Sequence, residues 1–149
     1  MDLTFDDALT VQPQRPIIAT VHVAIYSPIE EEDDDLRHWA IWINCGPSED
    51  SVILQIKDNM YGYGFILADP IYARPHDSRR FERSIECGFI LIDNLNLVIE
   101  AISDHPVRNR ALDWNCQKWT IECLELLERR RLMVPLQLWR SRLEPWTGW

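Results

Sequence analysis

The chain has 149 residues, of which 46% are hydrophobic and 26% charged, and its formal net charge is -9. A chain of this size and composition is expected to form one globular domain with one core, which excludes a disordered or fibrous protein. The acidic balance argues against nucleic acid as the main partner, because phosphate binding requires an excess or a clear stripe of basic residues. No apolar run approaches the ~20 residues of a membrane span, so we expect no stable membrane insertion.

The beginning of the chain predicts an arm followed by a strand. Residues 1–16 end in "QPQRP" and predict a flexible N-terminal arm, so that a single domain occupies 17–149. The segment "IIATVHVAIY" (17–26) is rich in β-branched residues and predicts a strand. The consecutive acids at 30–35 repel one another and predict an exposed loop, which could act as a lid.

Alternating and apolar segments predict four further strands. "HWAIWIN" (38–44) and "SVILQIKD" (51–58) are separated by a turn and predict a hairpin. "MYGYGFILADPIY" (60–72) predicts an irregular strand, and "RSIECGFILI" (83–92) predicts another.

Helical spacing of apolar residues begins after the last strand. Residues 93–106 place aliphatic side chains on one face, with Asp93 as the expected N-cap. A second helix begins near Cys116 and buries a stripe that includes Cys123 and Leu126, with Pro135 at its end. The remaining residues predict a short helix and a Trp-rich tail. Strands followed by helices predict an α+β fold, an antiparallel sheet of about five strands with helices packed on one side.

Arginines cluster at two places in the sequence. One cluster comprises Arg74, Arg79, Arg80 and Arg83, and the other spans 129–131. Because many carboxylates surround them in the sequence, we interpret both clusters as solvated or ion-paired surface rather than as an anion site.

The four cysteines, Cys45, Cys87, Cys116 and Cys123, contain no CxxC pair and no metal-ligand spacing. The chain also begins without a basic and apolar signal region. We therefore expect a reducing, cytoplasmic location and neither a metal nor another cofactor.

Cys116 has two possible interpretations. Free cysteine is among the most buried residue types, and Cys123 on the same helical face is better explained as core. If Asp113 or Asn115 caps the helix, however, Cys116 lies in its first turn, where unpaired N–H groups and the helix dipole favour a thiolate. Cys116 is therefore also a candidate nucleophile.

A cysteine nucleophile needs a base, and His38 is the best candidate among the histidines. His38 opens a strand directly after the acidic segment, where a cleft could form at the edge of the sheet. His22 lies inside the first strand, whereas His76 and His105 lie in polar loops beside prolines. We interpret these three as packed or solvated residues.

The imidazole must also be oriented by a third polar group. Gln55 is the natural choice, because it lies on the strand expected to pair with that of His38; Asp58 and Asp50 are alternatives if the register differs. On the oxyanion side, the backbone N–H of Cys116 could be joined by the side chain of Asn115 or Gln117.

Two short motifs carry a resemblance to a known family. "HWAIWI" on a strand and "NCQKW" at the start of a helix resemble the circularly permuted papain-like fold of the lecithin retinol acyltransferase-like proteins. The late helix "NRALDWNCQKWTIECLELLERRRLM" is also similar to that of a group of small uncharacterised fungal proteins. The resemblance covers 17–134 and implies Cys116 as nucleophile and His38 as base. Gln55 matches the third position only approximately, and Trp39 is a candidate for orienting the substrate.

The resemblance implies a cysteine-dependent hydrolase or acyltransferase. Family phospholipid acyltransferases usually carry a second histidine in the third position and a hydrophobic membrane tail, and this chain departs from both. The expected substrate is therefore an amide, ester or thioester of a small molecule that is neutral or cationic, because the acidic segment repels anions.

Two other functions are compatible with the same sequence. One is a degenerate member of the fold that binds a protein, with Trp139, Trp146 and Trp149 as anchors and a homodimer as one form of the assembly. The other is a cyclase or isomerase without a covalent intermediate, with His38 as base and Cys116 as acid.

Overall fold

The computed structural model describes residues 17–28, 36–46, 51–58, 64–108 and 114–148. Several predicted features lie outside these residues, namely the arm 1–16, the acidic segment 30–35, Asp50, Asp113 and Trp149.

Seven strands and three helices make up the described structure. The strands are β1 (Ile18–Tyr26), β2 (His38–Asn44), β3 (Val52–Leu54), β4 (Ile56–Asp58), β5 (Phe65–Leu67), β6 (Phe81–Leu91) and β7 (Val134–Pro135). The helices are α1 (Leu95–Asp104), α2 (Cys116–Arg129) and α3 (Trp139–Leu143). An antiparallel sheet of five strands has the order β3-β2-β1-β6-β7, and β4 and β5 form a separate pair. The predicted α+β class and the five-stranded antiparallel sheet are confirmed.

Strand alternation places the helices on one side of the main sheet. Alternate residues of β1 and β2, including Val23 and Ile41, belong to a core cluster to which all three helices contribute. On the opposite face, Ala24 and Trp42 belong to a smaller cluster with no helical member among the described residues. Each large aliphatic or aromatic side chain that becomes fully buried contributes about 1.5–3 kcal/mol, so the helix-covered face carries most of the burial.

The segment 51–58 does not form one strand, contrary to our expectation. It divides at Gln55, so that β3 pairs with β2 while β4 pairs with β5. The backbone explains the division, because the Gln55 carbonyl accepts a hydrogen bond from the Ala68 N–H at 3.0 Å. Ile71 then returns to bridge Ile53 of β3. The chain therefore leaves the main sheet at Gln55.

The helix boundaries also differ from two expectations. Asp93 is not an N-cap, because it lies in a 3-10 turn (Ile92–Asn94) that runs directly into α1. Helix α2 ends at Arg129 and not at Pro135, which lies in β7. The buried stripe of α2 does include Cys123, as predicted, whereas Leu126 is only partly buried.

The Trp-rich tail folds back on the domain as far as it is described. Trp139 is buried in the core. The guanidinium of Arg83 lies 4.0 Å from the ring centroid of Trp146, and that of Arg37 lies 5.6 Å from it. These two tryptophans therefore pack within their own chain. None of the helices in the described segments has the length and apolar character needed to span a membrane.

Candidate functional site

A cavity of about 680 Å³ opens beside the start of β2. Its walls include Cys116, His38 and Gln55, the three residues assigned to catalysis from the sequence. The volume lies within the range of ~300–1,000 Å³ that is usual for sites of small molecules. The fold therefore brings together three side chains that are far apart in sequence.

Helix α2 begins at Cys116 because Asn115 caps it. The side-chain oxygen of Asn115 accepts hydrogen bonds from the backbone N–H groups of Gln117 at 3.0 Å and Lys118 at 3.1 Å. Asn115 itself has an extended backbone, as N-cap residues do. Cys116 thus occupies the first helical position, where the helix dipole favours negative charge.

The thiol of Cys116 is buried but lies at the wall of the cavity. Its residue is 6% exposed, whereas Cys123 is 0% exposed and packs in the core. The Cys116 sulfur lies 4.0 Å from the carbonyl oxygen of Arg37. Burial raises the pKa of Cys116, and the backbone N–H of Trp39, which also bonds to the sulfur, opposes this in part. The sulfur therefore lies against the backbone of Arg37 and of Trp39, the residues directly before and after His38.

Gln55 orients His38. The Nε2 atom of His38 lies 2.6 Å from the amide oxygen Oε1 of Gln55. Because an amide oxygen can only accept, Nε2 carries the proton and Nδ1 is left as the basic nitrogen of the neutral ring. β3 pairs with β2 only from Ile41 to Ile43, so the pairing with β3 does not extend to the His38 end of β2.

The imidazole of His38 and the thiol of Cys116 are both held in their neutral forms. Burial lowers the pKa of His38, while the hydrogen bond to Gln55 raises it by a smaller amount. Burial raises the pKa of Cys116 to about 11, and the bonds from the backbone N–H groups of Trp39, Cys116 and Gln117 oppose this. The helix start therefore favours the thiolate, as expected, but burial has the larger effect.

The side chains expected to donate to an oxyanion or to orient the substrate lie away from the cavity. The side chains of Asn115, Gln117 and Trp39 do not line the cavity. The Asn115 oxygen caps α2, the Trp39 side chain is fully buried, and both ends of the Gln117 amide are hydrogen-bonded elsewhere. The backbone N–H of Cys116 is left as the oxyanion donor among those named from the sequence.

The other three histidines contact or hydrogen-bond to neighbouring side chains away from the cavity. His22 bonds to Thr20 at 2.8 Å and stacks on Trp42, on the sheet face without helices. His105 bonds to Glu122 at 2.8 Å. His76 lies against Phe81, with 4.7 Å between ring centroids. None of these histidines lines the cavity.

Sequence reasoning missed the residues that surround His38. The Tyr26 ring lies 5.6 Å from that of His38 and lines the cavity, because Tyr26 and His38 pair across β1 and β2. Arg80, which we assigned to solvated surface, is exposed but also contributes to the cavity wall, as does Lys57. Only the register of the sheet could have identified Tyr26.

The alternative orienting residues have different positions. Asp58 lines the cavity, but Gln55 makes the hydrogen bond to His38; Asp50 lies outside the described residues.

Within the described segments, no three His, Cys, Asp or Glu side chains are grouped closely enough to hold a metal ion.

Comparisons with models of protein families, with characterised proteins and with solved structures found no match to this chain.

Proposed function

We propose that this protein is a cysteine-dependent hydrolase or acyltransferase with a permuted papain-like topology. One observation carries the proposal: the Cys116 thiol and the hydrogen-bonded pair of His38 and Gln55 line the same cavity. A buried thiol at a capped helix start and an oriented imidazole are the parts that nucleophilic catalysis by cysteine requires. All four cysteines are free, which suits the reducing cytoplasmic location that we include in the proposal.

The chemistry begins from a neutral pair. The thiol turns from the Arg37 carbonyl toward His38, and Nδ1 accepts its proton as the sulfur attacks the substrate carbonyl carbon. The backbone N–H of Cys116 donates to the oxyanion of the tetrahedral intermediate. The imidazolium, held by Gln55, then returns the proton to the leaving amine, alcohol or thiol, and an acyl-cysteine forms. His38 then takes a proton from water or a second nucleophile as it attacks the acyl-cysteine, and it returns that proton to the departing Cys116 sulfur.

The apolar part of the proposed substrate follows from the cavity wall. Its charge follows from the neighbouring acidic segment, because the wall itself carries both basic residues, such as Lys57 and Arg80, and acidic ones, such as Asp58. Ile53, Ile56 and Phe65 supply apolar surface for an acyl group. Pro28 and Leu36, which flank the acidic segment in sequence, also line the cavity. An amide, ester or thioester of a small neutral or cationic molecule is the substrate that we propose.

The neutral thiol also favours a second candidate, a cyclase or isomerase without a covalent intermediate. Burial keeps the Cys116 thiol protonated and His38 neutral, so the thiol can donate a proton and the imidazole can accept one. The two candidates differ in one intermediate, because only the first forms an acyl-cysteine.

The test is acylation by a small aryl thioester, followed by mass spectrometry of the intact chain and of its peptides. We expect one acyl group on Cys116 and none on Cys45, Cys87 or Cys123. Cys116→Ala should abolish the adduct, and Cys123→Ala is the matched control that should retain it. Acylation spread evenly over the cysteines, or turnover that survives Cys116→Ala, would contradict a cysteine nucleophile.

A further inference from the structure

Gln117 is a polar residue that the catalytic steps above do not use. Its residue is 0% exposed, and its amide is hydrogen-bonded at both ends. Nε2 donates to the carbonyl oxygen of Arg37 at 2.9 Å, and Oε1 accepts from the backbone N–H of Gly148 at 3.0 Å. A buried amide with both ends satisfied fixes the positions of its partners, because breaking either bond leaves a buried group unpaired.

The partner on one side, Arg37, directly precedes His38. Its carbonyl oxygen contacts both Gln117 and the Cys116 sulfur, so the starts of α2 and β2 meet at this atom. Its guanidinium bonds to Glu82 at 2.9 Å and lies over Trp146. Arg37 is therefore held through both its backbone and its side chain.

The partner on the other side belongs to the C-terminal segment. A Cβ atom at position 148 would overlap Cδ1 of Leu36, so the backbone of Gly148 lies directly against that side chain. Leu36 lines the cavity and precedes Arg37. The segment from Trp146 to Gly148 thus contacts Leu36 and the Arg37 side chain directly. It is also linked to the Arg37 carbonyl through Gln117. All of these contacts lie in the two residues before His38.

We propose that Gln117, held by the C-terminal segment at Gly148, is a positioning residue that fixes the start of β2, and so His38, against the thiol of Cys116. The inference rests on the proposed function, because it concerns how the base reaches the nucleophile. The side chain of Gln117 acts through Arg37 and contacts no reacting atom. The C-terminal segment therefore helps to hold the start of β2 in place.

The test measures how strongly His38 promotes alkylation of Cys116. Rates with iodoacetamide are measured by peptide mass spectrometry for the full-length chain, for His38→Ala, for Gln117→Met and for the double variant. Methionine matches the length of glutamine but makes neither hydrogen bond. We expect His38→Ala to slow alkylation about tenfold in the native chain and less than about twofold in the Gln117→Met background. Gln137→Met, at an exposed position, is the matched control and should leave the His38 effect unchanged.

Two further variants keep the test decisive if Gln117→Met loses its native circular dichroism spectrum. Gln117→Glu keeps an acceptor for Gly148 and removes the donor to Arg37, and Gly148→Ala forces Leu36 or the C-terminal segment to move. Each should reduce the His38 effect. An undiminished His38 effect in the folded variants overturns the positioning role and leaves the proposed function intact. If His38→Ala has no effect in the native chain, the proposed function itself is wrong, and the positioning role falls with it.

Discussion

The Nε2 atom of His38 lies 2.6 Å from the amide oxygen of Gln55, although His38 begins β2 and Gln55 lies between β3 and β4. The contact forms where β3 ends at Leu54 and the chain leaves the main sheet at Gln55, beyond the part of β2 that pairs with β3. This geometry sets both the tautomer and the orientation of the imidazole. Burial lowers the pKa of His38, and the neutral amide of Gln55, which supports the imidazolium more weakly than a carboxylate would, offsets this only in part.

Substitution of Gln55 should shift the acidic limb of the pH–rate profile in either direction. Gln55→Glu places a negative charge beside His38, raises its pKa and moves the limb to higher pH by about 1 pH unit. Gln55→Leu removes the acceptor that raises the pKa, so the limb moves to lower pH and kcat falls. Profiles of thioester hydrolysis measure both shifts. Gln137→Glu is the exposed control, and shifts of the same sign in both Gln55 variants would contradict the assignment.

Cys116 and Cys123 should respond to alanine in opposite ways. Cys116→Ala should lower the acylation rate by at least about 10²-fold with little change in stability, because the side chain lies at a cavity wall. Cys123→Ala should keep the acylation rate but lower the free energy of unfolding by about 1 kcal/mol, because its sulfur is fully buried in the core. Peptide mapping and urea unfolding give the two readouts. Loss of acylation in folded Cys123→Ala would mean that the nucleophile is misassigned.

Without His38, the reactivity of Cys116 should rise steeply with pH. Burial raises the pKa of Cys116 to about 11, so the thiolate fraction grows about tenfold for each pH unit across the neutral range. Iodoacetamide rates at Cys116 in His38→Ala should follow this slope, whereas in the native chain neutral His38 takes the proton and the rate should level off above the lowered pKa of His38. A rate in His38→Ala that levels off below about pH 7 would contradict the raised pKa of Cys116.

Local patterns in the sequence predict much of this architecture. Alternation in β1 and β2, and the Asn115 cap before Cys116, depend on neighbouring residues, so they are readable from one chain. The expected hairpin between adjacent strands also made Gln55 the first choice to orient His38, although the unknown register left Asp58 and Asp50 as alternatives.

The remaining features depend on contacts between distant segments. The strand divides at Gln55 because Ala68 bonds to Gln55 and Ile71 bridges Ile53. No pattern within 51–58 encodes these contacts with later residues. Gln117 bonds to Gly148, which lies 31 residues further along the chain. The raised pKa of Cys116 likewise reflects burial by several elements rather than its position on α2.

The residues before Cys116 are held by a cluster around Glu122. This carboxylate accepts from His105 at 2.8 Å and from the indole N–H of Trp114 at 3.0 Å, and it pairs with Arg108 at 3.3 Å. Trp114 lies two residues before Cys116, so the cluster ties α1 and the start of α2 together. Its strength comes from the partly buried indole and imidazole, which lose their common acceptor when the carboxylate is removed.

Glu122→Ala should therefore lower the free energy of unfolding by about 1–3 kcal/mol, because two partly buried donors lose their acceptor. Glu122→Gln keeps an acceptor oxygen for Trp114 and should cause a smaller loss. Glu100→Ala, at an exposed position of α1, is the matched control and should change stability by less than about 0.5 kcal/mol. Urea unfolding of the three variants at neutral pH provides the comparison. Equal stability of Glu122→Ala and Glu100→Ala would show that the cluster does not hold the start of α2.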